Sequence, residues 1–256
     1  MSPIISRCLV VCFKAARLFI RKSDGNRILM YHAVGTDVDG DTRGLYNILP
    51  ARFESHMRIL ASHHRNRLKN LDAATLRQAD PGIMVTFDDG YRDNLTCAAP
   101  LLADLGIPFT VFVTTGPVKD CKAGFLSPDD LRALDNFPGA TIGAHGVTHA
   151  RLAECNDRKL KKELLESKAY LEDLLGHPVD SLSYPHGSVS RRVRDAAERA
   201  GYLVGATSRF DVNPPNRDRL LLCRTDIWSG DSDGVFAEKL TGCWDWRRWR
   251  HADPAK

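Results

Sequence analysis

The chain has 256 residues, of which 43% are hydrophobic and 27% charged, and its formal net charge is +4. This length is enough for one large α/β domain or two small ones, and the composition excludes disordered, collagen-like and multi-span membrane proteins. So small a net charge does not by itself indicate a nucleic-acid partner. The seven cysteines are scattered and form no CxxC pair, which favours a reducing compartment over a disulfide framework.

The first predicted element is an N-terminal segment, residues 1–24. Eight of the ten residues from Ile4 to Phe13 are apolar, but Arg7 interrupts the run and no small-residue cleavage site follows, so a signal peptide or a membrane span is disfavoured. Five basic residues fall within an arc of about 140° on a helix: Arg7, Lys14, Arg17, Arg21 and Lys22. Residues 4–22 are therefore interpreted either as a cationic helix lying on the inner membrane face or as a helix packed on the domain itself. The predicted location is cytoplasmic, with peripheral membrane contact under the first interpretation.

From residue 25 onward, short apolar runs alternate with helix-like segments. The predicted strands are Arg27–His32, Ile83–Asp88, Phe109–Thr114, Thr141–His145, Ser181–Tyr184, Tyr202–Ala206 and Leu220–Ile227. The predicted helices are Arg52–Leu60, Asp93–Leu105, Asp157–Leu175 and Val189–Ala200, and Pro100 is expected to kink the second. Seven strands alternating with helices predict a parallel β/α barrel or barrel-like single domain over residues 25–242.

A basic aromatic tail, residues 243–256, follows this domain. Its segment Trp244–His251 contains three tryptophans and three arginines, a composition that can stack on sugars or bases or lie at a membrane interface. The alternative is a packed or frayed end of the chain. No nucleic-acid partner is expected, because no second basic tract accompanies it.

Four predicted strands end in side chains that can bind metal or transfer protons. They are His32, the pair Asp88 and Asp89, His145 with His149 nearby, and the run Tyr184–Gly187. In a β/α barrel the loops after the carboxyl ends of the strands build the active site. These residues are therefore the candidates for function.

The aspartates and histidines suggest a metal site. Two adjacent carboxylates at the edge of a core, Asp88 and Asp89, are costly unless a cation or protons neutralise them, although an Asp-Asp-Gly turn is the alternative. His145 and His149 are four residues apart and can converge on one ion. One aspartate with two histidines is the composition of a hydrolytic metal site. Zinc is the default ion, and cobalt, iron, manganese and nickel also accept such ligands.

Three motifs in this order, Thr86-Phe-Asp-Asp-Gly90, His145-x-x-x-His149 and Ser183-Tyr-Pro-His-Gly187, resemble the polysaccharide deacetylase family, carbohydrate esterase family four. The resemblance extends from about Arg27 to Ile227. It implies a single distorted (β/α) barrel of about seven parallel strands and metal-dependent removal of acetyl groups from an amino-sugar glycan or glycolipid precursor. The alternatives are hydrolysis of an O-acetyl ester or a non-sugar amide at the same site, or a catalytically weak glycan-binding barrel.

The resemblance also implies roles for individual residues. Asp89, His145 and His149 match the metal ligands, and Asp88 matches the general base. The family's usual carboxy-terminal acid histidine is missing, because Leu221–Ile227 contains no histidine. The segment Ile28-Leu-Met-Tyr-His32 instead resembles the permuted branch of poly-N-acetylglucosamine deacetylases, which predicts His32 as the general acid; a structural histidine is the alternative.

The third motif departs from the family pattern. Many relatives carry an arginine and a tyrosine where this chain has Ser183 and His186. Arg224 is predicted to supply the missing arginine beside the base, the alternative being a surface ion pair. Further residues are predicted to bind or orient the substrate: Tyr91, Tyr184 and His186.

Overall fold

A computed structural model describes residues 25–38, 40–78, 80–250 and 252. The predicted N-terminal segment 1–24, including the amphipathic residues 4–22, lies outside the described residues. Its membrane contact and the cytoplasmic location stay predictions. Within the described ranges, no helix is both long enough and apolar enough to cross a bilayer.

Seven parallel strands form one curled sheet, which confirms the predicted fold class. They are β1 (Arg27–Tyr31), β2 (Ile83–Phe87), β3 (Phe109–Val113), β4 (Ala140–Ala144), β5 (Ser181–Ser183), β6 (Val204–Ala206) and β7 (Thr225–Asp226). Their order is β6-β5-β4-β3-β2-β1-β7, and every neighbouring pair is parallel.

The seventh strand is shorter than predicted, because the first half of Leu220–Ile227 pairs elsewhere. Leu222 donates its N–H to the carbonyl of Gly205 at 2.8 Å, and Thr207 donates to the carbonyl of Leu222 at 2.7 Å. This part of the chain therefore runs beside β6, while Thr225 and Asp226 pair with β1. The two edges of the sheet are brought together in this way, and the sheet curls into a distorted (β/α) barrel.

The two faces of the sheet bury different cores, because alternate strand residues point to opposite sides. Leu29, Val85 and Val111 belong to the large cluster that packs against the helices. Ile28 and Met84, one position away on the same strands, belong to a smaller cluster inside the barrel. Polar side chains on the inner face of the sheet therefore lie inside the barrel, near the carboxyl ends of the strands.

Seven α-helices flank the sheet in the part of the chain that the structure describes. They are α1 (Pro50–His63), α2 (Ala99–Leu105), α3 (Thr115–Lys119), α4 (Pro128–Asp135), α5 (Asp157–Leu175), α6 (Arg191–Arg199) and α7 (Asp233–Leu240). The predicted helix Asp93–Leu105 is divided into a π-helical turn, Asn94–Ala98, and α2. Pro100 explains the division, because it has no N–H to continue an α-helical ladder and is tolerated only in the first turn of α2. The sequence analysis did not predict α3, α4 and α7.

The longest helix, α5, lies over the barrel with one face buried. Its N-cap is Asn156, whose side chain accepts the N–H of Lys159 at 2.9 Å. It ends at Gly176, whose left-handed conformation suits glycine. The residues that it buries are Leu160, Glu163, Leu164, Ser167 and Leu171.

The described part of the C-terminal tail packs against the barrel. Trp246 is buried, and Asp245 pairs with Arg27 of β1 at 3.0 Å. Arg247 donates to both carboxylate oxygens of Asp226 at 3.1 Å each. These contacts favour the packed alternative for residues 243–248, whereas Trp249 is 68% exposed.

The buried side chain of His56 makes the stability of this fold depend on pH. Its Nδ1 lies 3.3 Å from the Tyr31 hydroxyl and its Nε2 3.2 Å from the carbonyl of Asp231. The imidazole also stacks on Phe236, with ring centroids 4.1 Å apart. Burial lowers the pKa of His56 to about 4, from about 6.5 in an unfolded chain.

As the pH falls from about 6.5 towards 4, the unfolded chain takes up a proton that the folded chain does not. We therefore expect the free energy of unfolding to fall by about 3 kcal/mol over this range. A His56→Gln variant, neutral throughout, should lack this part of the pH dependence. Urea unfolding of both metal-free proteins at about pH 7.5 and about pH 4.5 measures the difference. An equal loss of stability in both proteins would contradict the assignment to His56.

Candidate active site

The carboxyl ends of the strands open into a cleft of about 880 Å³. His32 directly follows β1, Asp88 and Asp89 follow β2, and His145 follows β4. These four residues and His149 all line the cleft. The structure thus brings together the residues that were predicted from the strand ends.

Three of these residues form a group that fits a metal ion. Asp89, His145 and His149 each offer one ligand atom, and these atoms lie within 4.8 Å of one another. The Oδ1 atom of Asp89 is 3.4 Å from Nε2 of His145 and 3.2 Å from Nε2 of His149. Among the described residues this buried Oδ1 has no hydrogen-bond partner, a deficit that a bound cation would satisfy. One carboxylate oxygen and two imidazole nitrogens suit a divalent ion such as zinc, so the side chains fit the group that the sequence analysis predicted.

The backbone around this group is strained. Asp89, His149 and His186 have φ angles of 75°, 56° and 57°. Only four non-glycine residues in the described ranges have a positive φ, and three of them lie at this cleft. Such conformations cost of order 1–3 kcal/mol each and concentrate at functional sites.

The two histidines are held so that each directs one ring nitrogen to the group. Nδ1 of His145 lies 2.8 Å from the carbonyl of Ser183; donation of the Nδ1 proton to this carbonyl leaves Nε2 as the lone-pair nitrogen. Burial lowers the pKa of His145, but the Asp88 and Asp89 carboxylates outweigh this and raise it above its usual value. Burial and the neighbouring His145 lower the pKa of His149 to about 4, which keeps its imidazole neutral and able to bind a metal.

Asp88 is held by a different set of contacts. Arg224 donates from Nη1 to Oδ1 at 2.7 Å and from Nη2 to Oδ2 at 2.6 Å, and the Ser183 hydroxyl is 3.2 Å from Oδ2. Burial alone would raise the pKa of Asp88, but the Arg224 guanidinium holds it well below its usual range. Asp88 therefore stays ionised at neutral pH, and its carboxylate has a fixed orientation.

Arg224 is itself fully buried and surrounded by acceptors. Its Nε donates to the carbonyl of Thr207 at 2.9 Å, and its Nη2 donates to the Ser183 hydroxyl at 2.8 Å. The geometry does not match a surface ion pair, since both Arg224 and Asp88 are buried. Arg224, which directly precedes β7, thus contacts both Asp88 and Ser183, the residue at the motif position where the family resemblance leads one to expect an arginine.

His32 lines the cleft, and its ring packs on Tyr46, with centroids 4.5 Å apart. Its buried Nδ1 has no hydrogen-bond partner among the described residues. Burial lowers the pKa of His32, and the Asp89 and Asp88 carboxylates oppose this effect. The general-acid role stays a prediction, now with a defined position at the cleft.

The remaining predicted residues divide into two groups. Tyr91, His186 and Arg224 line the cleft. Tyr184 does not: it is fully buried, and its hydroxyl donates to the carbonyl of Leu220 at 2.8 Å. The predicted substrate contact of Tyr184 is therefore corrected to a core role, because the residue after Ser183 points to the other face of the strand.

Sequence reasoning missed two residues that shape the site. Tyr46 covers the ring of His32, and no pattern in the sequence links these loop and strand positions. Glu163 accepts hydrogen bonds from the loop between the two histidines. The sequence marks Glu163 as an acidic residue on the leucine-rich face of α5, but it does not indicate which loop the side chain contacts.

The fold and the side chains together define a β/α-barrel protein with a candidate metal-binding site at the carboxyl ends of its strands. The polysaccharide deacetylase family model matches residues 76–205, half of the chain. The chain therefore belongs to the polysaccharide deacetylase family, and the predicted enzyme class, a carbohydrate deacetylase, is confirmed.

Individual relatives have a low sequence identity to this chain but align with most of its length. YxkH of Bacillus subtilis is 24% identical over 221 residues, which cover 83% of this chain and 76% of the relative. A poly-β-1,6-N-acetyl-D-glucosamine N-deacetylase of Staphylococcus aureus is 23% identical over 215 residues, covering 78% of this chain and 72% of the relative.

Solved structures share the fold. The deacetylase PplD of Streptococcus pyogenes superposes with a TM-score of 0.74 at 22% identity, covering 84% of this chain and 98% of that one. A polysaccharide deacetylase from Bacillus cereus gives a TM-score of 0.71 at 26% identity, covering 85% of this chain and 69% of that one.

Proposed function

We propose that this protein hydrolyses the N-acetyl group of an amino sugar in a glycan or glycolipid, with a divalent ion held by Asp89, His145 and His149. The observation that carries the proposal is the proximity of these three ligand atoms, within 4.8 Å of one another, next to a carboxylate outside the group. The Staphylococcus aureus relative, named for deacetylation of poly-β-1,6-N-acetyl-D-glucosamine, supports an N-acetylated amino sugar as the substrate class.

A divalent ion, when bound, acidifies water and polarises the acetyl carbonyl. Asp88 then acts as the general base and accepts a proton from the attacking water at its carboxylate. Arg224 and Ser183 orient that carboxylate, so the proton acceptor does not rotate away. His32, in its protonated imidazolium form, donates a proton to the departing amine nitrogen, which yields acetate and a free amino sugar.

Removal of the metal gives the first test of this proposal. We expect dialysis against a chelator to reduce acetate release from N-acetylglucosamine oligomers to background, because the water is no longer activated without the ion. Adding zinc or cobalt should restore acetate release. His145→Ala should stay inactive after metal is added back. His177→Ala is the matched control, since its side chain is 45% exposed and pairs with Asp135, away from the cleft.

The products distinguish the proposed reaction from its alternatives. Amide hydrolysis releases one free amine for each acetate, whereas O-acetyl ester hydrolysis releases acetate alone. Acetate release that survives chelation would contradict the metal site, and acetate without amine would contradict N-deacetylation. Parallel assays with β-1,4- and β-1,6-linked oligomers and with a non-sugar acetamide identify the substrate class.

A further inference from the structure

The buried glutamate of α5, Glu163, holds the loop that joins the two histidines of the site. It is 1% exposed. Its Oε2 accepts the backbone N–H groups of Val147 at 2.7 Å and Thr148 at 2.9 Å, and its Oε1 accepts the Thr148 hydroxyl at 2.6 Å. One carboxylate therefore binds three donors within the His145–His149 segment.

The same loop is held from its other side. Thr115 and Gly116, at the start of α3, donate their N–H groups to the carbonyls of Gly146 at 3.0 Å and Val147 at 2.8 Å. Gly146 adopts a positive φ of 74°, and a Cβ there would lie 3.0 Å from Oε2 of Glu163. The loop thus forms hydrogen bonds with the start of α3 on one side and with the Glu163 carboxylate on the other, and these contacts restrict its movement.

We propose that Glu163 is a positioning residue, which sets the spacing of His145 and His149 for the metal ion through the backbone of their loop. This inference rests on the proposed metal site. The three hydrogen bonds are part-buried, and they satisfy a carboxylate that is itself buried, so breaking them costs free energy. Without the carboxylate the loop must turn these N–H groups towards water or other acceptors. Because His149 has a strained backbone, it is the ligand that is expected to move.

The test measures metal affinity and apoprotein stability separately. Glu163→Ala should weaken zinc and cobalt binding by about 10- to 100-fold, as is typical when a group that orients metal ligands is removed. Glu163→Gln keeps one oxygen for the two N–H donors, and its amide can donate to the Thr148 hydroxyl, so it should lose less affinity. The matched control is Glu166→Ala, an exposed glutamate of the same helix, which should bind metal like the wild type.

Saturating metal gives a further readout. Glu163 does not supply or accept protons in the proposed reaction, so the maximal rate of Glu163→Gln at saturating zinc should approach that of the wild type. The absorption spectrum of cobalt-loaded Glu163→Ala, which loses all three loop contacts, should show an altered coordination geometry. A residue that only stabilises the fold would lower the unfolding temperature of the apoprotein without changing the metal affinity or the cobalt spectrum.

A second pair of variants applies if Glu163→Ala does not fold. Thr148→Val removes one donor to Glu163, whereas Thr148→Ser keeps it, so the valine variant alone should bind metal more weakly. Wild-type metal affinity in Glu163→Ala, or in Thr148→Val where the alanine variant does not fold, would overturn the positioning role. Absence of metal binding by the wild-type protein would instead overturn the metal site of the proposed function.

Discussion

Replacing Asp88 with asparagine is expected to lower kcat for acetate release by about 10²- to 10⁴-fold while the divalent ion stays bound. The substitution keeps the size of the side chain but removes the charge that accepts a proton from water. Asp88 does not belong to the group of ligand atoms formed by Asp89, His145 and His149. The measurement is kcat, together with the metal content of the purified variant.

The two adjacent aspartates have different tasks because their surroundings differ. Both oxygens of Asp88 accept from Arg224, whereas Oδ1 of Asp89 faces two imidazoles and has no hydrogen-bond partner in the part of the chain that the structure describes. Asp89→Asn is therefore the informative comparison, and it should lose metal and activity together. An Asp88→Asn protein with nearly wild-type kcat would contradict the general-base role, and one without metal would assign Asp88 to the ligands.

The parts of the site that the sequence predicted are those that directly follow strands. A polar residue directly after an apolar run marks the end of a strand, and the carboxyl ends of parallel strands lie at the same edge of the sheet. His32, Asp88 and His145 meet in the cleft for this reason. The motif resemblance added the prediction that Arg224, distant in sequence, lies beside Asp88. The third motif lacks the arginine expected beside this base, so another cation was required.

The errors have equally local causes. Tyr184 was assigned to the substrate because it belongs to a motif, yet the two-residue period of a strand turns it to the core. Contacts such as Glu163 with Thr148 depend on where a helix crosses a loop, which neither periodicity nor motif spacing reveals. The short helix α4 was missed although Ser127 and Asp130 form a capping box, a pattern that the sequence does display.

The largest stability effect is expected for Arg224→Met. This substitution removes the guanidinium but leaves the buried carboxylate of Asp88 without its charged partner. Loss of one member of a buried ion pair costs about 3–5 kcal/mol, and the two side chains here are 1% and 5% exposed. Urea unfolding of the metal-free proteins measures the change in the free energy of unfolding. The control Arg58→Met breaks a pair with Glu54 whose members are 61% and 48% exposed, and it should cost about 1 kcal/mol or less.

A double variant separates the two consequences of this ion pair. Asp88→Asn combined with Arg224→Met removes both charges of this buried pair, so the double variant should be more stable than Arg224→Met alone. It should nevertheless remain inactive, because the proton acceptor is gone. Two results would show that the pair is not coupled as the distances indicate. One is an Arg224→Met protein at least as stable as Arg58→Met, and the other is a double variant that is no more stable than Arg224→Met. Recovered stability in the double variant would mean that the cost of Arg224→Met arises from leaving the buried Asp88 carboxylate without its guanidinium partner.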